Sequence, residues 1–205
     1  MTDVGSAPPT VTEPPVAPVR VAPAGRALDA VDGAGEVLFE RLRGRRGPDT
    51  VAAVLSNLAD YGVIWVVLAA AKARRPGAGR RRAVTTLALA GVASFTVNRT
   101  IKQLVRRGRP EALAQQEVQD TLPVRRPTST SFPSGHTLAA FTTAVSLPDT
   151  GAGQATALAF AAAVAASRVH LRAHHASDVA AGAAIGTVLG VAVRATTGRS
   201  RRRAR

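Results

Sequence analysis

Apolar residues recur along this chain in blocks that are long enough to form helices. From residue 51 onward the blocks lie at 51–71, 83–101, 134–148, 153–169 and 178–195. A helix that spans the hydrocarbon core of a bilayer needs about 20 apolar residues, with about 17 as the lower limit. The first, second and fifth blocks satisfy this length, and the other two would need polar ends at the interface. The pattern therefore predicts an all-α integral-membrane bundle with about five spanning helices.

A soluble all-α bundle is the alternative interpretation of the same blocks. Helices of soluble bundles keep one polar face, whereas the segments 154–167 and 178–193 are apolar on nearly every side. Their Gly and Ala residues also suit the close helix packing that occurs in lipid. These two features favour the membrane bundle.

The first 50 residues differ in composition from the apolar blocks. Residues 1–26 are rich in Pro, Ala and Val without a helical period, which predicts a disordered arm. They lack the order of charged and apolar regions that marks a signal peptide. Residues 27–46 predict an amphipathic helix that is either interfacial or packed on the body of the protein. The apolar positions of this helix are Leu28, Val31, Leu38 and Leu42.

These composition changes predict four segments along the chain. They are a disordered arm at 1–26, the amphipathic helix and a linker at 27–50, a membrane domain at 51–195 and a basic tail at 196–205.

Charge and composition narrow the classes of partner. The chain has 27 basic and 13 acidic residues, for a net charge of +14. Nucleic acid is one partner that such a charge suggests. The arginines, however, cluster between apolar blocks, as in the cytoplasmic loops of membrane proteins, and aromatic residues make up only 3%. We therefore expect a bilayer and no nucleic acid as partner. The absence of cysteine excludes disulfides and thiolate metal sites.

Polar residues with candidate chemistry cluster at the ends of the apolar blocks. The sequence KQLVRRGRP (102–110) follows the second block, PSGH (133–136) opens the third, and SRVHLRAHHASD (167–178) precedes the fifth. Their order is K-x6-R-P, then P-S-G-H, then S-R-x5-H-x3-D. All four histidines of the chain, His136, His170, His174 and His175, lie within a span of 40 residues, 136–175.

This order resembles the three-part signature of the type 2 phosphatidic acid phosphatase superfamily, which also contains bacterial acid phosphatases and vanadium haloperoxidases. Every motif residue is present at full spacing, and the apolar framework extends the resemblance over 51–195. The resemblance implies a bacterial, membrane-embedded phosphatase that hydrolyses a lipid phosphate. The chain has one apolar block fewer than the six-span members. Its composition is similar to that of small actinobacterial members, which slightly favours a polyprenyl-linked substrate over phosphatidic acid or phosphatidylglycerophosphate.

The residue types agree with phosphate binding. Lys102, Arg109 and Arg168 supply three cationic donors, and the fork of arginine suits phosphate oxygens. Alternatively, the basic run after the second block simply snorkels from a helix end. Ser134 and Gly135 open a helix whose free N–H groups can bind an anion, with Gly135 allowing close approach. The simpler interpretation of this turn is that Ser134 caps the helix.

The histidines suggest a division of roles. His174 and Asp178 are four residues apart, so they lie on one helical face. A carboxylate that accepts one imidazole N–H leaves the other nitrogen free to attack phosphorus. The resemblance implies a covalent phosphohistidine at His174. It also implies that His136 protonates the leaving oxygen and then activates water. We expect His170 and His175 to be structural.

Three rival functions are less well supported. His170, His174 and Asp178 have plausible metal-ligand spacing, but the surrounding cations favour an anion, so no metal and no cofactor are expected. A non-catalytic protein that binds anionic lipid would not need the pair of His174 and Asp178. The third rival is an oxidoreductase that binds vanadate at the same residues. The haloperoxidases that do so are soluble, whereas this chain is predicted to be a membrane protein.

Two further expectations concern Asp60 and the orientation in the membrane. Asp60 lies inside the first apolar block, where a carboxylate is either functional or merely interfacial. The positive-inside rule favours, by a narrow margin, the loop 72–82 and the C-terminus in the cytoplasm of a bacterial cell. The catalytic pocket would then open on the outer face. The sequence indicates no particular oligomeric state.

Overall fold

The computed structural model describes residues 23–60, 66–67, 70, 74, 77–110 and 129–203 of the chain. Within these residues the secondary structure is all-helical, as predicted, with no β-strand. Six helices have described bounds: α1 (Pro23–Glu40), α2 (Arg46–Ala59), α3 (Ala78–Leu104), α4 (Gly135–Ser146), α5 (Gly151–His170) and α6 (Ala176–Arg203).

The helices follow the apolar blocks closely. α3, α5 and α6 contain the second, fourth and fifth blocks, and α4 lies within the third. α2 contains the beginning of the first block, whose remainder lies largely outside the described residues. The amphipathic helix expected at 27–46 corresponds to α1, which begins earlier and ends at Glu40. The chain then turns through Gly44, whose φ of 75° is in the left-handed region that favours glycine. Residues 1–22 of the predicted arm lie outside the described residues.

The helix α4 lies at the centre of the bundle. It packs against α3, α5 and α6, and its side chains Leu138, Ala140 and Ala144 are buried. Ala161 and Val164 of α5 complete this core and are fully buried. Because the core side chains are mostly small, the helix axes approach one another closely.

A row of glycines on α6 makes the contact with α4 closest. A Cβ atom at Gly182 would lie 2.7 Å from the carbonyl oxygen of Ser134, and one at Gly186 would clash with that of Leu138. At Gly190 a Cβ atom would lie 2.6 Å from the Cβ of Val145. Side chains at these positions cannot fit without moving a backbone, so α4 and α6 depend on the glycines to pack at this distance.

The distribution of apolar and polar side chains differs from that in a soluble bundle. Large apolar residues of α3 and α6 point outward, for example Phe95, which is 67% exposed, and Val188, which is 69% exposed. Beside its small apolar residues, the interior contains hydroxyl side chains such as Thr86, Ser94 and Thr142. Lipid is the solvent in which an apolar exterior of this kind is stable.

Only part of the predicted membrane topology is supported by helix length and composition. Among the described residues one helical segment, Ala176–Gly198 of α6, is long and apolar enough to cross a bilayer, with a mean hydropathy of 1.6. The helix α4 has 12 residues, fewer than a spanning helix requires. The number of about five spanning helices therefore remains a prediction.

Contacts across the bundle define two ends. At one end Arg82 forms an ion pair with Asp149 at 3.2 Å, and Arg194 donates to the side chain of Gln154 at 3.1 Å. At the other end, called the site end below, the backbone N–H of Ser134 donates to the carbonyl of Asp178 at 3.1 Å. The helices α3 to α6 thus alternate in direction, as the predicted topology requires.

The helix α1 and the turn that follows it pack on α5 and α6 at the site end. Arg43 donates to the carbonyl oxygens of His170 at 2.8 Å and Val169 at 2.9 Å. The ring of His170 is buried, lies edge-on to Phe39 and pairs with Asp49 of α2 at 2.7 Å. His170 therefore joins α1, α2 and α5, which is the structural role expected for it.

We predict that Gly186→Ala destabilises the bundle. The new methyl group would meet the carbonyl oxygen of Leu138, and overpacking of this kind costs about 1–3 kcal/mol. Thermal unfolding of the detergent-solubilised protein should show a lower Tm than that of the unmodified chain.

The matched control is Gly91→Ala on α3, where a Cβ atom meets nothing within 4 Å. Because alanine favours a helix over glycine, this variant should keep or raise the Tm. Equal Tm changes in the two variants would contradict the packing argument.

Candidate active site

The structure places the predicted site residues together at the site end. Lys102 lies in the last turn of α3 and Arg109 in the segment that follows it. Ser134, Gly135 and His136 lie at the start of α4, and Arg168 lies in the last turn of α5. His174 belongs to the turn between α5 and α6, and Asp178 to the first turn of α6.

The carboxylate of Asp178 is fully buried and held by several donors. Ser131 Oγ donates to Oδ2, and the backbone N–H of His175 donates to the same oxygen at 2.9 Å. Arg107 Nη1 donates to Oδ1 at 2.7 Å. A buried carboxylate is tolerated only when it is paired in this way. Asp178 is consequently fixed in position.

The two ring nitrogens of His174 face different neighbours. Nδ1 lies 3.7 Å from Asp178 Oδ2, within ion-pair range but beyond hydrogen-bond distance. It is a buried atom without a hydrogen-bond partner among the described residues. Nε2 lies 3.3 Å from Arg109 Nη1. Nδ1 thus faces a carboxylate and Nε2 faces a cation, which suits an imidazole with its proton on Nδ1.

The surroundings of His174 keep its ring neutral. The side chain is almost completely buried, and burial, together with the positive charges of Arg109 and Arg168, lowers its pKa to about 3. A cation is disfavoured there because it loses hydration and meets like charge. Near neutral pH the ring therefore carries one free lone pair, as a nucleophile needs.

Three cationic side chains surround this turn and are anchored by oxygen atoms of the protein. Lys102 Nζ donates to the carbonyl of Thr130, and Arg109 Nε donates to the carbonyl of Ser129 at 2.9 Å. Arg168, 1% exposed, donates to Ser56 Oγ and interacts electrostatically with Asp60. Carbonyl and hydroxyl oxygens orient Lys102 and Arg109 without neutralising them. The cluster keeps an excess of positive charge that favours an anion.

The turn at the start of α4 differs from the simpler interpretation of the sequence, in which the Ser134 side chain caps the helix. Ser134 occupies the N-cap position, but its hydroxyl makes no capping bond and instead accepts from Thr137 Oγ1 at 3.0 Å. The backbone N–H of Ser134 is occupied by the carbonyl of Asp178. A Cβ atom at Gly135 would lie 3.0 Å from the amide of Asn98. The glycine therefore serves helix packing, and phosphate contacts by Ser134 and Gly135 remain predictions.

His136 has a partner outside the three motifs. Its Nε2 lies 2.6 Å from Asp60 Oδ1, and both side chains are mostly buried. Asp60 is the C-cap residue of α2. In the sequence Asp60 is recognisable only as a carboxylate in an apolar block, and the pattern does not indicate its partner.

Arg107 and Asp32 are site residues that sequence analysis missed. Besides Asp178, Arg107 binds Asp32 of α1 and donates to Ser177 Oγ at 2.6 Å. Asp32 also accepts from the backbone N–H of Ser177 at 2.8 Å. In the sequence, Arg107 is one of several arginines after the second apolar block, and Asp32 lies outside the motifs. Only the tertiary contacts distinguish them, since Arg107 binds Asp178 and Asp32 binds Arg107.

The alternative metal site is not assembled in this structure. That site would use His170, His174 and Asp178 as ligands, but His170 pairs with Asp49 instead. Within the described residues no group of three or more His, Asp or Glu side chains could hold a metal ion.

Comparison with known proteins gives one family and two solved structures. A family model described as the PAP2 superfamily matches residues 82–202, more than half of the chain. The first transmembrane PAP2 type phosphatidylglycerolphosphate phosphatase from Bacillus subtilis superposes with a TM-score of 0.65 and 20% identity, covering 88% of this chain and 89% of that one. Aquifex aeolicus LpxE gives a TM-score of 0.59 and 25% identity, with coverage of 76% and 92%. No curated protein sequence matches this chain.

We predict that Arg107→Ala destabilises the site end. The substitution leaves the buried carboxylate of Asp178 without its cationic partner, and breaking a buried pair costs on the order of 3 kcal/mol. The Tm of the detergent-solubilised protein should fall.

Arg106→Ala removes the same charge from the exposed neighbouring residue and is the control for the change in net charge. Its Tm should stay close to that of the unmodified protein, because exposed charges contribute little to stability. If the two variants unfold at the same temperature, Arg107 does not support Asp178.

Proposed function

This chain belongs to the PAP2 superfamily and is a phosphoric ester hydrolase, and we propose that it removes phosphate from a lipid phosphate within a bacterial membrane. The observation that carries this proposal is the placement of His174. Its neutral ring lies between the carboxylate of Asp178 and the guanidinium of Arg109, inside a cluster that favours anions.

The proposed reaction begins with attack by His174. The phosphate would bind Lys102, Arg109 and Arg168, which neutralise its oxygens and the charge that develops during transfer. Nε2 of His174 would attack phosphorus, forming a nitrogen–phosphorus bond as the bond between phosphorus and the lipid oxygen breaks. Asp178 would stabilise the ring as it becomes cationic.

His136 is the proposed proton donor and acceptor. In the first step it would give a proton to the departing lipid alkoxide, which is otherwise a poor leaving group. In the second step it would take a proton from water as the water oxygen attacks phosphorus. The nitrogen–phosphorus bond then breaks and inorganic phosphate leaves.

A lipid substrate is supported by the position of the site in the molecule. The site end lies at the ends of helices whose outer surfaces are apolar, and the amphipathic α1 packs beside it. A lipid can keep its chains in the bilayer while its phosphate reaches the cationic cluster. A polyprenyl-linked phosphate is the substrate we propose first. Phosphatidylglycerophosphate is the alternative, because it is the substrate named for the Bacillus subtilis protein of similar fold.

We predict that the purified protein releases inorganic phosphate from lipid phosphates in excess EDTA. His174→Ala should reduce this release to background, because the nucleophile is lost. His175→Ala is the matched control, since it keeps the backbone N–H that holds Asp178 and should retain activity. A panel of polyprenyl phosphate, polyprenyl diphosphate, phosphatidic acid and phosphatidylglycerophosphate identifies the substrate.

A covalent intermediate provides a second readout of the same proposal. Radioactive phosphate trapped on the enzyme should be labile in acid, as expected for phosphohistidine, and should map to His174. Activity that EDTA abolishes and one divalent metal restores would contradict the proposed mechanism, as would label on Ser134 or Ser167.

We predict that the site end faces the outside of the cell. The chain has no native cysteine, so single cysteines report topology directly. Arg106→Cys, at an exposed residue of the site end, should react with an impermeant thiol reagent in intact cells. Arg74→Cys, at an exposed residue of the loop 72–82, should react only after the cells are permeabilised.

The reverse labelling pattern would place the site end in the cytoplasm. Because the charge bias between the two sides is narrow, both cysteines are scored in the same cells, with total labelling after permeabilisation as the reference.

A further inference from the structure

Asp60 reaches the histidine of the P-S-G-H motif from a part of the chain that the family model does not match. Its Oδ1 lies 2.6 Å from His136 Nε2, and the exposed fractions of the two side chains are 16% and 24%. The family match begins at residue 82. We propose that Asp60 is a positioning residue that fixes the orientation and tautomer of His136 during phosphate transfer. This inference rests on the proposed function.

The packing of α2 determines where Asp60 lies. Ala52, Ala53 and Ala59 bury the small face of this helix, and α2 packs against α5. Ser56, one turn before Asp60, is fully buried and accepts from Arg168 Nη1. Residues four apart on a helix lie on the same side, so Ser56 and Asp60 face the same neighbours. Ser56 contacts Arg168 of the third motif, and Asp60 contacts His136 of the second. Asp60 is therefore held by the same surface that anchors a phosphate-binding arginine.

The contact decides which nitrogen of His136 serves the reaction. An ionised carboxylate only accepts hydrogen bonds, so Nε2 must carry a proton when it faces Asp60. The remaining nitrogen, Nδ1, is then the atom that exchanges protons with substrate and water. In the first step the proton of Nδ1 moves to the lipid oxygen, and in the second step Nδ1 takes a proton from water. Asp60 stays ionised and stabilises the ring whenever both nitrogens are protonated.

A purely structural ion pair between α2 and α4 is the competing explanation. Such a pair would hold the two helices together, and its loss would disturb binding and every chemical step alike. A positioning residue affects only the steps in which His136 transfers a proton. Substrates with different leaving groups separate these two explanations.

The experiment compares Asp60→Asn with the unmodified enzyme on dioctanoyl phosphatidic acid and on p-nitrophenyl phosphate. Nitrophenolate leaves without protonation. The rate of the pre-steady-state burst of nitrophenolate in Asp60→Asn should therefore stay within about twofold of the burst rate in the unmodified enzyme. The following turnover should fall and phosphohistidine should accumulate, because water is no longer activated. With dioctanoyl phosphatidic acid turnover should fall roughly 10²-fold, the scale of general acid–base catalysis.

Two further variants make the comparison specific. Asp149→Asn removes a paired carboxylate at the opposite end of the bundle, and it should leave burst and turnover unchanged. Asp60→Asn added to His136→Ala should slow neither reaction further, because Asp60 acts through the ring that is already absent. An additional loss in the double variant would overturn the proposal.

The remaining outcomes distinguish this inference from the proposed function. If the unmodified enzyme releases no phosphate from any lipid phosphate, the proposed function fails. If it is active and Asp60→Asn slows the nitrophenolate burst as much as turnover, the pair is structural and the inference alone fails.

If Asp60→Asn does not fold, Asp60→Glu keeps the charge on a longer side chain. It should keep the burst and lose part of the turnover, and unchanged turnover would contradict the inference.

Discussion

The structure of the site end depends on the hydrogen bonds that hold the buried carboxylate of Asp178. A charge with no exposure must be compensated by nearby donors, since its loss of hydration is otherwise prohibitive. The donors come from three separate parts of the chain: Arg107 after α3, Ser131 before α4 and the backbone of His175 after α5. The hydrogen bonds to this one carboxylate therefore fix the positions of three connecting segments. His174 lies in the last of these segments, so its position follows from the same requirement.

Helix packing brings the opening turn of α4 to this carboxylate. The absence of a side chain at Gly182 lets the carbonyl of Ser134 approach α6, and the neighbouring N–H of Ser134 then reaches the carbonyl of Asp178. Close approach of small residues is the main source of helix association when the surrounding solvent is apolar. The glycines of α6 thus contribute to the site indirectly, by setting the distance between two motif-bearing helices.

The first two helices complete the site although they contain none of its three motifs. Asp32 of α1 binds the arginine that holds Asp178, and Ser56 of α2 accepts from Arg168. Asp60 adds the contact to His136. Each of these residues touches a motif residue or its support, so α1 and α2 are structural components of the site end. A matched family segment of 82–202 does not contain them.

The sequence by itself determined the helical blocks and the position of the motif residues at their ends, because apolar patterning and spacing are local properties of the chain. It also indicated an anion site, from the charges near His174. Only the tertiary structure decided that Arg107 rather than Arg106 supports Asp178, and that Ser134 does not cap its helix. These choices depend on contacts between residues far apart in the chain, such as Asp60 and His136. The sequence pattern around a residue cannot specify such pairs, since other arginines, serines and aspartates of the chain have similar local surroundings.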